Sequence, residues 1–520
     1  MTISRKLRRT LFCLSGFGLL YLSGTFSLLL WIKYQQGNSA VGFSDILLPN
    51  RWHHFQTAKG RALIEKSLAQ IDSGNVAAGF HNLRLGLARF PASRDGRLLL
   101  AQLYADNQRG DLAKELLVNG LNFHPQDPAY ARIVFSYLLE IQADAEVIQL
   151  ADHVRRSPLM AGALGELAGM AAATACYQRG AYDRAESYLT ESGPGNARDR
   201  CLLWARIQWE RGYPELALHL LRDLSEDFPA DEEVYTLCSS YLGQSKHYDE
   251  TRRRSLIFQL HRPDSALPRI DMLHTHAREG NVTALRQTTD EILRFFARDE
   301  KVLLALSDFA ATTGDPSLAR QVSSRLPVGS QAGQSSMVLT LEALITAKDY
   351  PAALALADEL TARTPALGET LLTLCQGLKA IAHYGNKDPG AGFLAYNQLL
   401  AGPRLRAGKL LMISNLLHDT GARKPAYDLL VRTAASDPQN QAVWSRLIEM
   451  DLELNNLEDL PARLQHLVTM RKPSRALLSR AAAVLGSDRW LFVRERYPAL
   501  DAIRDHLEKS PQAGFSSQIL

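Results

Sequence analysis

The sequence predicts an all-α chain: an α-solenoid of helix-turn-helix repeats preceded by one transmembrane helix. Three observations lead there. An uncharged apolar run lies near the N-terminus, helical hydrophobic periodicity covers nearly everything beyond residue 58 without sustained strand-like alternation, and a fixed spacing of glycine, alanine, leucine and proline returns along the chain. The composition suits such a fold. Of 520 residues, 46% are hydrophobic and 22% charged, which is ordinary for a folded chain and too apolar for a disordered one. The formal charge of +4 is spread over the whole length and gives no basis for expecting a nucleic-acid partner.

The apolar run comes first. Residues 11–32, LFCLSGFGLLYLSGTFSLLLWI, contain no Asp, Glu, Lys, Arg or His. As a helix this stretch would reach roughly 33 Å, against about 30 Å of bilayer hydrocarbon. Arg5, Lys6, Arg8 and Arg9 precede it, whereas Lys33 alone stands close behind. The positive-inside rule then leaves residues 1–10 as a basic cytoplasmic N-terminus and places the bulk in a periplasmic or other extracytoplasmic space. The run outlasts the h-region of a cleaved signal peptide, so 11–32 reads as an uncleaved signal anchor in contact with the lipid bilayer. Residues 33–58 hold Gly37, Asn38, Gly42 and Pro49, lack a helical period, and read as a juxtamembrane linker.

The repeats follow. In ERGYPELALHLLRDLSEDFP, Gly212, Ala217, Leu221, Leu224 and Pro229 mark one amphipathic helix between two stops. The same 17-residue interval returns from Gly74 to Pro91, Lys246 to Pro263, Lys348 to Pro365 and Gly421 to Pro438. Starting points form a ladder at 74, 110, about 142, 180, 212, 246, 280, 314, 348, about 386, 421 and about 456, and the steps between 246 and 348 are 34 residues each.

Over residues 59–475 the chain resembles the tetratricopeptide-repeat (TPR) family, in about eleven or twelve degenerate copies. Each ladder point corresponds to the turn between the two helices of a repeat. The alanine five residues on corresponds to the small residue at the helix crossing, and the proline to the repeat boundary. The large aromatic early in the first helix is mostly replaced by Leu, Cys or Met, and the second helix looks short after Gly110 and Gly314. Residues 476–520 read as capping helices and a frayed tail.

Chemistry is sparse. Phosphate loops, nucleophile elbows, His-Glu-x-x-His and paired Cys-x-x-Cys motifs are absent, so neither catalytic residues, nor a metal site, nor a cofactor is expected. His274 and His276 are two apart and point to different sides of a helix. Cys176, Cys201, Cys238 and Cys375 fall within helical patterns as small apolar residues, with Cys176 and Cys201 the only sequence-near pair.

The resemblance implies a concave groove lined by the first helix of each repeat, with other proteins or extended peptide segments as its partners. Counting back from the turns puts Tyr104, Asn107, Tyr177, Gln178, Arg206, Trp209, His274, Arg278, Asn415 and His418 on that surface. Arginines suit carboxylates there, and aromatics suit anchoring side chains. The function expected is a membrane-tethered TPR scaffold for protein–protein interactions, assembling a cell-envelope complex for secretion or polysaccharide export. The alternatives are an α-solenoid envelope enzyme, a lyase or hydrolase with carboxylates hidden among the repeats, and a cytoplasmic-side assembly factor if the topology is inverted.

Overall fold

A computed structural model describes residues 5–34, 42–48, 51–156, 162–191, 197–327, 329–362, 367–456, 458–488 and 495–509, with side chains in the first helix only at 16, 19–31 and 34. Among the described residues there are 28 helices and no strand. After the first two, twelve consecutive helix pairs run from Trp52 to Thr469, and the helices Arg475–Leu485 and Arg496–Lys509 follow.

A left-handed residue stands between the helices of every pair: Gly74, Gln108, Gln142, Gly180, Gly212, Lys246, Gly280, Gly314, Lys348, Lys387, Gly421 and Asn455 all have positive φ. A tight reversal between antiparallel helices needs that conformation, which glycine adopts without strain and other residues adopt at some cost. At the second pair the sequence misleads. Gln108 takes the left-handed position, and Gly110 opens the following helix, Gly110–Gly120.

Several of the second helices begin under a cap or a proline. Asp315 accepts from Ser317 N and Leu318 N ahead of Pro316–Ser323, and Pro214 opens Pro214–Asp227. Ala113, Ala185, Ala217, Ala319, Ala353 and Ala426 are all fully buried on these second helices. A small side chain there lets the paired helix approach closely.

Contacts divide the chain into two compact units. Unit 1 comprises residues 1–177 and 183–195, and unit 2 comprises 178–182 and 196–520. In unit 1 the helices Trp52–Asp72 and Val76–Arg89 cross where a Cβ on Gly60 would meet Gly86 O at 2.8 Å. Arg94 donates to Asp127, the N-cap of Pro128–Glu140, at 3.0 Å. Unit 2 repeats this link, with Arg198 donating through Nε and Nη2 to Asp231, the N-cap of Glu232–Gln244, at 2.7 and 2.8 Å. The arginine holds the Asp231 carboxyl below the usual carboxylate range.

At the far end of unit 2, Leu477, Leu478, Ala481, Leu485, Ala499 and Ile503 join Ile448, Leu460, Leu464 and Leu467 in one buried cluster. The last two helices thereby cover the apolar face that the final pair cannot bury alone. Beneath it Asp451, with no exposed surface, receives Arg463 Nη1 at 2.7 Å on each carboxylate oxygen and Tyr427 Oη at 2.9 Å.

The expected transmembrane segment 11–32 falls inside one helix, Arg5–Tyr34. Among the described residues, no helix is long and apolar enough to cross a membrane. The stretch expected as a linker holds more structure than its sequence period suggests. Phe43–Leu47 is helical, and the next helix begins at Trp52. Tertiary contact explains both: Leu29, Ile46 and Phe55 form a buried cluster with Phe43 against it, and Tyr21 Oη donates to Leu47 O at 2.8 Å. The last ten residues, within the expected frayed tail, and residues 192–196 lie outside the described residues.

Candidate partner-binding surface

In unit 2 the first helices of successive pairs pack on one another. Leu267–Glu279 meets Glu300–Thr313, which meets Gln331–Thr346, then Glu369–Gly385 and Ala407–Asp419. The second helices form no such pairings of comparable extent among the described residues. Closer approach along the first helices makes theirs the inner side of the curve, and their outward-turned residues form a continuous face.

Register decides what that face presents. Six residues before the turn stand Arg206, Ser240, His274, Asp308, Glu342 and Asn415, counted from Gly212, Lys246, Gly280, Gly314, Lys348 and Gly421. The middle of this row is acidic. Asp308 acts electrostatically on both His274 and Glu342, which lie in the pairs to either side of it. Burial raises the Glu342 carboxyl, while Lys409 Nζ, 3.6 Å from Oε2, works against the shift. Asp271, one turn before His274, is raised by burial too, against bonds from Tyr235 and Ser239. His274 lies edge-on to Phe309 with ring centroids 4.9 Å apart, and burial lowers its pKa.

Each residue expected on the groove has a definite place. Arg206 Nη2 donates to Glu233 Oε1 at 3.0 Å, and Glu233 also receives Arg198. Trp209 stacks on Tyr241 and packs against the buried cluster of Leu202, Leu218 and Leu242. Arg278 is exposed beside Gly243, where a Cβ would meet its Nη1 at 2.8 Å. Asn415 accepts from Arg446 Nε at 2.9 Å, and His418 Nε2 lies 3.0 Å from Glu453 Oε2, so both are tied to the next first helix, Gln441–Leu454.

The remaining four are less groove-like. Tyr104 sits edge-on to Phe80 and lines a cleft of about 360 Å³ with Arg97, Leu100 and Leu116 in unit 1. Asn107 is the C-cap of Arg94–Asp106, its Nδ2 donating to Leu103 O at 2.7 Å. Tyr177 is half-buried, and Gln178 Oε1 is buried without a hydrogen-bond partner. His274 and His276 diverge as helix geometry requires, His276 being buried with Nδ1 3.5 Å from Glu279.

Sequence reasoning missed Asp308 and Glu342, although counting back six residues from Gly314 and Lys348 finds both. Lys409 carries no such signal, since it reaches Glu342 from two pairs further on. Cys176, Cys201, Cys238 and Cys375 are free thiols, and burial pushes Cys176, Cys238 and Cys375 up to about 11.

No family model matches the chain, and no curated protein matches it. Solved structures do. The Naa15/Naa10 complex bound to HypK-THB is similar over 94% of this chain and 75% of that one at 14% identity, with a TM-score of 0.28. Yeast Tom70 is similar over 85% and 99% at 11% identity (TM-score 0.35), and the APC/C hetero-tetramer Cut9–Hcn1 over 87% and 86% at 14% identity (TM-score 0.31). Scores of this size leave the helical-repeat assignment resting on the chain's own geometry: the paired helices, the left-handed turns and the 34-residue step.

Proposed function

We propose that the chain is a membrane-tethered scaffold of TPR-like repeats that holds an extended segment of another protein along the first helices of unit 2. The observation that carries this reading is the continuous row His274, Asp308 and Glu342, flanked by Arg278 and Lys409 on successively packed helices. Such a face offers ionisable groups at one register position in three successive pairs, matched to a partner that crosses the pairs rather than enters a single cavity.

The tether rests on the first helix. Leu19, Leu20, Leu22, Phe26, Leu28, Leu30 and Trp31 are all exposed on it, while Thr25 and Leu29 are buried. Water is a poor solvent for so much apolar surface on one helix, and lipid is a good one. The basic residues ahead of the run favour a cytoplasmic N-terminus and an extracytoplasmic body. A role in assembling an envelope complex, in secretion or polysaccharide export, is the one such a tethered scaffold would serve.

Photo-crosslinking in cells tests the scaffold. A crosslinking residue at Arg278 or Asp308 should capture a protein partner, and one at the outward-facing Leu260, 81% exposed, should not. Equal capture from all three rejects the inner-face reading. A C-terminal reporter active only in the cytoplasm rejects the topology.

A further inference from the structure

Stacked helix pairs touch only their neighbours, so a contact between distant parts of unit 2 is an addition the stack does not require. One such contact exists. Arg179 Nη1 donates to Thr469 O at 2.6 Å, 290 residues away. Beside it Lys472 Nζ stands 3.5 Å from Glu210 Oε1 and 5.5 Å from the centroid of the Tyr182 ring.

The lysine is presented on a fixed backbone. Lys472 has a φ of 47°, in the region that favours glycine, and its carbonyl accepts from Gln441 Nε2 at 2.9 Å. Its side chain is only 25% exposed. Burial lowers its pKa, and the charge of Arg206 acts in the same direction, so the ammonium is held where its charge is disfavoured. An ion pair, one carbonyl bond and one cation–π contact are each weak at such exposure, which makes the contact reversible.

We propose that residues 469–472 are an internal ligand of unit 2, seated where Glu210 ends one first helix and Tyr182 begins a second helix, and that the partner segment displacing it carries a lysine or arginine. What occupies a site describes its ligand. Here a carboxylate and an aromatic face receive a cation, and a guanidinium receives a main-chain carbonyl. The inference rests on the reading that the first helices of unit 2 are the partner-binding surface.

Hydrogen–deuterium exchange on the full chain in detergent tests it, with the octapeptide LVTMRKPS, the sequence of residues 467–474, as probe. Lys472→Ala should speed exchange in 206–213 and 467–474 by about threefold or more, and Lys472→Arg should leave it near the wild-type rate. Added octapeptide should restore protection to 206–213 in Lys472→Ala, and the same peptide with alanine for its lysine should not. Unchanged exchange in Lys472→Ala, or equal protection by both peptides, overturns the proposal. A lysine-dependent peptide response without crosslinks from Arg278 or Asp308 upholds the internal ligand and sinks only the partner reading.

Discussion

Trp209 lies flat on Tyr241, ring centroids 4.0 Å apart and planes within 11°, so one pair's first helix is bonded to the next by aromatic stacking. Tyr241 is 7% exposed, and Trp209 packs on the same buried cluster. Trp209→Ala should destabilise the protein by about 1–3 kcal/mol, from lost burial together with the ring pair. Trp209→Phe should recover about half of that. Chemical denaturation monitored by circular dichroism measures both. A neutral Trp209→Ala would free this residue for partner binding alone.

Asp451 and Arg463 form a buried pair, and its two members are not independent. Removing one strands the other, so Asp451→Ala should cost about 3–5 kcal/mol. Replacing both, as Asp451→Leu with Arg463→Met, should be far milder, because no uncompensated charge remains. A double replacement as damaging as the single one contradicts this account. The comparison is read from unfolding midpoints.

At the Gly60–Gly86 crossing, helix backbones touch where a side chain would otherwise stand. Gly60→Ala forces a Cβ to within 2.8 Å of Gly86 O and 2.9 Å of Phe90 N and should cost about 1–3 kcal/mol. Gly408 gives the opposite case, since nothing lies within 4 Å of its added Cβ and it sits in the helix Ala407–Asp419. Gly408→Ala should stabilise by up to about 1 kcal/mol. Thermal melts of the two variants should move in opposite directions.

Asp271 gives a pH dependence of known sign. Burial raises its folded-state pKa, so its contribution to stability is full below the unfolded pKa and is lost as pH rises through the folded one. Asp271→Asn should therefore melt higher than wild type at about pH 7 and lose that advantage below about pH 4, where the unfolded carboxyl is protonated too. An equal shift at both pH values would assign the effect to packing.

How much of this was legible depends on distance along the chain. The helix pairs are local, and their turns advertise themselves through Gly212, Gly280, Gly314 and Gly421. Even Lys246 and Lys348, costly in left-handed backbone, were placed by the 34-residue step. Gly110 misled because glycine signals freedom of conformation and not its use. The short helix Phe43–Leu47 has no period to display and exists through contact with Leu29. Within the candidate site, Asp308 and Glu342 were readable from register, whereas Trp209 looked free in one dimension and is half-buried by a residue 32 positions on. The link between Lys472 and Glu210 joins residues with no shared pattern and left no trace in sequence.

That link changes how unit 2 comes apart. A linear array melts inward from its tips, each lost module exposing the next, and shows a broad transition. Fastening an early module to a late one removes a loose tip from which melting could spread. While the link is seated, opening must either release that weak contact or break an interior junction, so the distant modules are coupled only until the fastening lets go.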